Sequence, residues 1–275
     1  MESLEVVVVG AGIGGLTAAR ALQRDGHRVR VVDQVRELRP VGAGISLWSN
    51  GVKVLNALGL GPEIAAVGGV MDHVTYLDKD GKQLCSFGLG PLVDRVGQRP
   101  YPVRRSDLQR ILLEGVGAEH LQLGARCVMV EDHDDHAEVV MEDGTRHVGD
   151  VVVVADGTHS RLREQVIGAP VAREYVGYQN WNGLVAEGLG GPDDWTMYVG
   201  DSQRVSTMPV RDGFFADVKK AKADWRAQVE PRENSREAPF TSQRPLVALR
   251  KVLPRDGIVV VGSGNTQGAV KQSFQ

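Results

Sequence analysis

Gly10, Gly12 and Gly15 follow four valines in VVVVGAGIGGLTAAR with the spacing G-x-G-x-x-G, and Asp33 stands 18 residues beyond the last of them. Residues of these types in this order can hold a dinucleotide. The first glycine permits a tight turn, the second lets a pyrophosphate approach the backbone, and the third lets a helix pack closely on the preceding strand. The phosphates would lie at the positive end of that helix, where N–H groups point outward. A carboxylate at the end of the next strand is placed to hold ribose hydroxyls. The plainer reading of a lone match is a glycine-rich turn with no ligand, so the surrounding elements matter.

Such groups work only if a strand, a helix and a second strand position them. Residues 6–9 form a continuous apolar run, which suits a parallel strand covered on both faces. Residues 13–22 continue with apolar side chains at helical intervals, and residues 28–32 give a second strand that ends at Asp33. The stretch VVVVADGTHSRLR, residues 151–163, repeats the pattern, with Asp156 and Gly157 beginning the turn into a helix. In RRSDLQRILLE, Ser106 and Gln109 have capping-box spacing, which predicts a helix from about Ser106 with Arg105 just ahead of it. A guanidinium there can reach a phosphate or ribose in bidentate fashion. Gly42 and Gly44 precede a short helical segment at about residues 50–58, and such a loop can bring its backbone against a flat ring. Hairpins are expected at residues 74–78 with 83–87 and at 126–132 with 137–141. The tip of the second carries His133, Asp134, Asp135 and His136; four polar residues at a tip read as solvated loop, and no metal is assigned.

With 42% hydrophobic and 24% charged residues, a chain of 275 residues can bury a sizeable core. A formal charge of −3 argues against nucleic acid or an anionic membrane as partner. Only Cys85 and Cys127 occur and no basic segment precedes the apolar start, which suits a cytoplasmic protein without a disulfide framework. The longest apolar stretch, about residues 6–19, is too short and too glycine-rich to span a bilayer. The oligomeric state is not set by these features.

VVVVGAGIGGLTAARAL, PVGAGISLWSNGVKVLNALGLG, YPVRRSDLQ, VVVVADGTHSRLR and YVGYQNWNGLV, taken in order, resemble the FAD-dependent aromatic-ring hydroxylases, most closely the urate hydroxylases, over residues 1–213. The resemblance implies an α/β, Rossmann-like FAD/NAD(P)-binding fold with a partial antiparallel β layer for substrate. It implies an FAD-binding domain at 1–175, with a β excursion at about 70–100, and a partial substrate sheet at 176–213. It also implies a monooxygenase: NADH or NADPH reduces the flavin, O2 reacts with it, and a small aromatic or purine ring takes one oxygen atom. By the same resemblance the loop after Gly42 runs beside the isoalloxazine, Arg105 contacts FAD, and Asp156 and Gly157 touch the pyrophosphate, where helix capping is the alternative for Asp156. Arg204, in QRVSTMPV, matches an arginine that holds the anionic substrate; the alternative is a surface arginine at a strand edge.

After Gly213 the likeness fades. The family calls for a tyrosine near Ala216 and later for a G-D-A-G-H motif, neither of which is present in recognisable form. Residues 216–275 resemble a fragment of a thiamine-diphosphate enzyme of the acetolactate-synthase kind. On that reading residues 214–275 form an appendage with a polar helix at 219–229, a linker at 231–239, an amphipathic helix at 245–252 and a parallel-type strand at 258–261. A competing reading makes GIVVVGSGNTQ the lost flavin-domain strand and turn, with Ser263 in place of an aspartate. Either way the hydroxylase is expected to be impaired, and a nucleotide-binding fragment or chimera without turnover is the alternative.

Overall fold

The computed structural model describes residues 2–38, 42–172, 178–186, 194–211, 213–221 and 259–260. In chain order the elements are β1 (Glu5–Val9), α1 (Ile13–Arg24), β2 (Arg28–Asp33), β3 (Gly44–Leu47), α2 (Ser49–Ala57), α3 (Gly61–Val67), β4 (His73–Asp78), β5 (Gln83–Gly88), α4 (Gly90–Val96), β6 (Tyr101–Arg104) and α5 (Arg105–Val116). There follow β7 (Leu121–Leu123), β8 (Cys127–Asp132), β9 (Ala137–Met141), β10 (Arg146–Gly149), β11 (Val151–Val154), α6 (Arg163–Ile167), β12 (Tyr178–Ala186), β13 (Trp195–Gly200), β14 (Gln203–Val210), β15 (Gly213–Ala221) and β16 (Val259–Val260). The chain divides into two units: residues 1–39, 57–60 and 108–174, and residues 40–56, 61–107 and 175–275.

In the first unit the valine run behaves as its composition demands. β1 lies between β11 and β2, parallel to both, in a sheet of order β11-β1-β2-β7. Val6, Val7, Val8 and Val9 are all buried, each by roughly 1.5–3 kcal/mol of apolar transfer. Alternation divides them between two faces. Val7 and Val9 pack with Val32, Leu162 and, from the antiparallel sheet β10-β9-β8, Val139 and Met141. α1 is held by buried Gly15, Leu16 and Ala19. The expected hairpin at 126–141 is present as β8 and β9, and β10 extends it.

The second unit contains a seven-stranded sheet of order β16-β12-β15-β14-β13-β4-β5. Its pairs are antiparallel except β13 with β4. Met71, Val74, Leu89, Met208 and Val210 pack with Ala43 to form its core, flanked by Tyr76, Leu184 and Trp195. The hairpin expected at 74–87 is β4 and β5. β3 and β6 make a separate antiparallel pair.

The appendage reading meets two corrections here. Lys219, Lys220 and Ala221, expected to open a helix, lie in β15, and the boundary drawn at 213 falls at the first residue of that strand. Strands on both sides supply ladder hydrogen bonds to β15, and this pairing outweighs the helix preference of a lysine-rich segment. Val259 and Val260 do form a strand, but it is antiparallel to β12, not parallel. The linker at 231–239, the helix at 245–252 and Ser263 lie outside the described residues. Among the described residues no helix is long and apolar enough to cross a membrane.

Candidate functional site: a dinucleotide cleft and a guanidinium on a sheet

The glycines after β1 are glycines for different reasons. Gly10 has a φ of +112°, and a Cβ there would stand 2.3 Å from the Ala155 carbonyl oxygen, because the turn passes against the end of β11. A Cβ on Gly15 would stand 1.9 Å from the Gly10 carbonyl oxygen, so α1 can seat on the turn only without a side chain. Gly12 is the contrast: a Cβ there would meet nothing within 4 Å. The protein has no steric need for glycine at 12, and the open space beside the uncapped start of α1 fits a pyrophosphate approaching the backbone. Gly14, which the sequence reading passed over, is also in open space, where alanine would favour the helix by about 0.5–1 kcal/mol.

Asp33 locks the turn. Its Oδ2 accepts the Ala11 N–H at 2.7 Å and its Oδ1 accepts the Val35 N–H at 2.9 Å. Its carbonyl accepts the Ala125 N–H at 2.8 Å, which draws the segment before β8 to the end of β2. The Gly10 N–H donates to the Val32 carbonyl and the Ala155 N–H to the Val9 carbonyl, both at 2.8 Å. Asp156 closes the following turn by accepting the Arg161 N–H at 3.0 Å; this bond lies ahead of α6, whose N-cap is Leu162, and so does not cap the helix. Gly157 has a φ of +84° with open space around it, and the helix beyond, α6, begins six residues later at Arg163.

These turns enclose one cleft at the carboxyl ends of β1, β2 and β11. Gly10, Asp33 and Asp156 line it together with Gln34, Arg126, Cys127, His159 and Arg161. Sequence reasoning missed the last five. Residues 126–132 were legible as a strand, but not that the start of that strand crosses the end of β2. Burial, with the Asp156 charge nearby, pushes the Cys127 thiol above its ordinary range, so it stays protonated and serves as a wall.

In the second unit, Arg105 is the first residue of α5, not a residue ahead of it. Its N–H donates to the Ala43 carbonyl at 2.9 Å, and its side-chain stem lies over Gly42, where a Cβ would be 2.7 Å from Arg105 Cδ. Gly42 also has a φ of +93°, so this loop keeps a conformation that leaves room for the arginine. Gly44 lies in β3, and α2 starts at Ser49, close to the expected helix.

Arg204 sits in β14, near the middle of the seven-stranded sheet, opposite Val199 on β13 and Lys219 on β15. It is half-buried, which sets aside the plain edge-strand reading. Alternation places it on the same sheet face as Ser206 and Met208, and pairing adds Trp195 and Met197. Trp195 Nε1–H donates to Ser206 Oγ at 2.5 Å, and the Trp195 ring meets Trp48 edge-on with centroids 5.6 Å apart. Ala216, where the resemblance called for a tyrosine, stands opposite Thr207 and so belongs to the alternate register set from Arg204. The structure therefore gathers Gly10, Gly12, Gly15, Asp33, Asp156 and Gly157 in the first unit, and Arg105 and Arg204 in the second.

A cleft at the carboxyl ends of parallel strands, with a glycine turn opening a helix and a carboxylate on the next strand, defines a dinucleotide-binding α/β protein. The FAD binding domain family matches residues 3–253, and the chain belongs to that family, so FAD is its cofactor. The match runs through residues 216–253, so the likeness to a thiamine-diphosphate enzyme is not supported. Among curated proteins, an FAD-dependent urate hydroxylase of Mycolicibacterium vanbaalenii is 46% identical over 223 residues, covering 78% of this chain and 56% of the relative. One from Klebsiella pneumoniae subsp. pneumoniae is 44% identical, covering 78% and 58%. The chain thus spans less than two thirds of the length of these relatives. Among solved structures, Klebsiella pneumoniae HpxO complexed with FAD and uric acid aligns with a TM-score of 0.74 at 41% identity, covering 78% of this chain and 56% of that one. An R204Q variant of HpxO complexed with FAD aligns with a TM-score of 0.77 at 36% identity, covering 94% and 68%.

Proposed function

We propose that this chain carries the FAD site and the substrate-holding strand of an NAD(P)H-dependent monooxygenase that hydroxylates urate or a closely related electron-rich ring in the cytoplasm. The observation that carries the FAD assignment is the open space at Gly12 between two glycines that sterics make obligatory. In this reading the pyrophosphate lies at the start of α1 against Gly12, Asp33 takes ribose hydroxyls on lone pairs its two backbone donors leave open, and Asp156 and Gly157 complete the grip of the first unit. When bound, FAD supplies the redox chemistry, passing reducing equivalents from reduced nicotinamide to O2. Atoms balance as ring-H plus O2 plus NAD(P)H plus H+ giving ring-OH, water and NAD(P)+.

The substrate assignment rests on the kinship with urate hydroxylases and on Arg204. A guanidinium presents a planar fork of donors that matches a planar anion. On its sheet face the apolar Met197 and Met208 and the polar Ser206 are all buried, which limits competition by water for that charge.

The test is FAD titration of purified protein, followed by oxygen uptake and product analysis with urate and excess NADH. Flavin quenching on titration, urate-stimulated NADH oxidation and hydroxylated urate are expected. A colourless protein that quenches no flavin would overturn the FAD assignment. Bound flavin that converts NADH and O2 into hydrogen peroxide alone, with or without urate, would leave an FAD-binding chain and remove the hydroxylase.

A further inference from the structure

The β8–β9 turn, read from the sequence as a solvated tip, holds its imidazoles in a more ordered way than solvation requires. The His133 N–H donates to the His136 carbonyl at 2.9 Å, which fixes the two residues across the turn. Their rings stack with centroids 4.5 Å apart and planes 19° from parallel. Glu138, the second residue of β9, follows His136 by two positions, and its Oε1 stands 3.5 Å from His136 Nε2. One ligand atom from each of His133, His136 and Glu138 lies within 4.8 Å of the other two. A further contact orients the set: His136 Nδ1 lies 2.7 Å from Asp135 Oδ1, so Nε2 is the ring nitrogen turned toward Glu138, and a metal bound there would take the place of the proton it shares with that carboxylate. That is the carboxylate–histidine arrangement that steers imidazoles at metal centres. The other Glu138 oxygen is paired with Arg146, which also bonds Glu131 at 2.7 Å, so the carboxylate is held with Oε1 turned toward the histidines.

We propose that His133, His136 and Glu138 form a binding site for a borderline divalent transition metal, for which Zn2+ is the reference ion. Two imidazole nitrogens and one carboxylate oxygen suit such an ion, whereas Ca2+ and Mg2+ take shells of oxygen. With metal–ligand bonds of about 2.0–2.2 Å in tetrahedral geometry, neighbouring donors lie about 3.4 Å apart. The His136–Glu138 pair is already at that spacing, and His133, on an exposed turn, needs only a side-chain rotation to reach it. Water takes the fourth position. The site lies apart from the nucleotide cleft residues, and the proposal stands whether or not the chain hydroxylates urate.

The experiment is calorimetric titration of tag-free, FAD-loaded protein with Zn2+, and separately with Mg2+ and Ca2+. One Zn2+ per chain with saturable heat is expected, and no saturable heat with the other two ions. His136→Ala, His133→Ala and Glu138→Gln are each expected to weaken Zn2+ by about 10-fold or more, and Asp135→Asn by a smaller factor, with flavin content and far-ultraviolet circular dichroism unchanged because the turn is exposed. Absence of saturable Zn2+ binding, or equal binding by a His133→Ala, His136→Ala double variant, would overturn the site. Unchanged affinity in Glu138→Gln would overturn the three-ligand set.

Discussion

In the first unit three parallel strands end together, and the backbone of each turn is bonded to the next strand end within a few residues of the cleft. In the second unit Arg204 is presented from the middle of an eight-residue strand, and its surroundings come from strands as far apart in sequence as β4 and β15. The cleft is made by excluded volume and by hydrogen bonds to main-chain N–H groups, so Gly10 and Gly15 admit no side chain and the Asp33 and Asp156 carboxylates hold its turns. The sheet face is made by alternation and register, so its essential residues are all side chain. Damage should divide the same way: at the cleft it should strike fold or FAD, and on the sheet it should strike substrate alone.

The largest effect should come from Gly10→Val, which places a branched side chain at positive φ against the Ala155 carbonyl. A loss of about 3–5 kcal/mol of stability is expected, read as a large drop in denaturation midpoint, with Gly15→Ala close behind. Near-native melting of either variant would show that the turn does not pass against β11 as described. Gly12→Val sharpens the contrast, since its side chain enters open space. The fold should survive with a change of about 1 kcal/mol or less, while FAD affinity falls by about 100-fold or more, roughly 2.7 kcal/mol, in a flavin-quench titration. Retained FAD binding would mean that the pyrophosphate does not use this turn.

On the sheet, Arg204→Ala should leave FAD affinity unchanged and weaken urate by about 1–3 kcal/mol, the usual loss for a charged hydrogen bond. Equal urate affinity by calorimetry would remove Arg204 from the substrate site, and parallel loss of FAD would erase the division between the two regions. The smallest effect is a pH dependence confined to the first unit. His147 on β10 has a buried Nε2 with no hydrogen-bond partner among the described residues; burial first, then the Arg30 charge, holds its pKa below the usual histidine value, with Asp143 opposing. The unfolded chain therefore binds the proton more readily, so the contribution of His147 is intact above about pH 6.5 and is lost as pH falls through its lowered folded value. His147→Gln should flatten that acid-side slope in denaturation midpoints, and an unchanged slope would place the titration elsewhere.

The glycine spacing, the two valine runs, the Asp33 position and both hairpins were legible because each is decided by neighbours in sequence: a positive φ, an alternation, a turn. Residues that join the cleft from a distance were not legible. Arg126 and Cys127 are ordinary strand residues until the Ala125–Asp33 hydrogen bond carries them to the end of β2. Nor does composition say how a valine run will be covered. Val6–Val9 are buried as the middle strand of the sheet, while the identical run Val151–Val154 forms its edge and stays partly exposed. The same limit misplaced the boundary near residue 213. Locally, FADVKKA offers lysines and alanines that tolerate a helix, and only the free edges of β12 and β14 on either side make the extended form better bonded. The sequence by itself determined where the chain must turn and what its first cleft could hold, because sterics act over a few residues. The tertiary structure decided which strands pair, which face Arg204 shares and where two histidines and a glutamate meet, because burial and ladder hydrogen bonds depend on partners that chain order does not reveal.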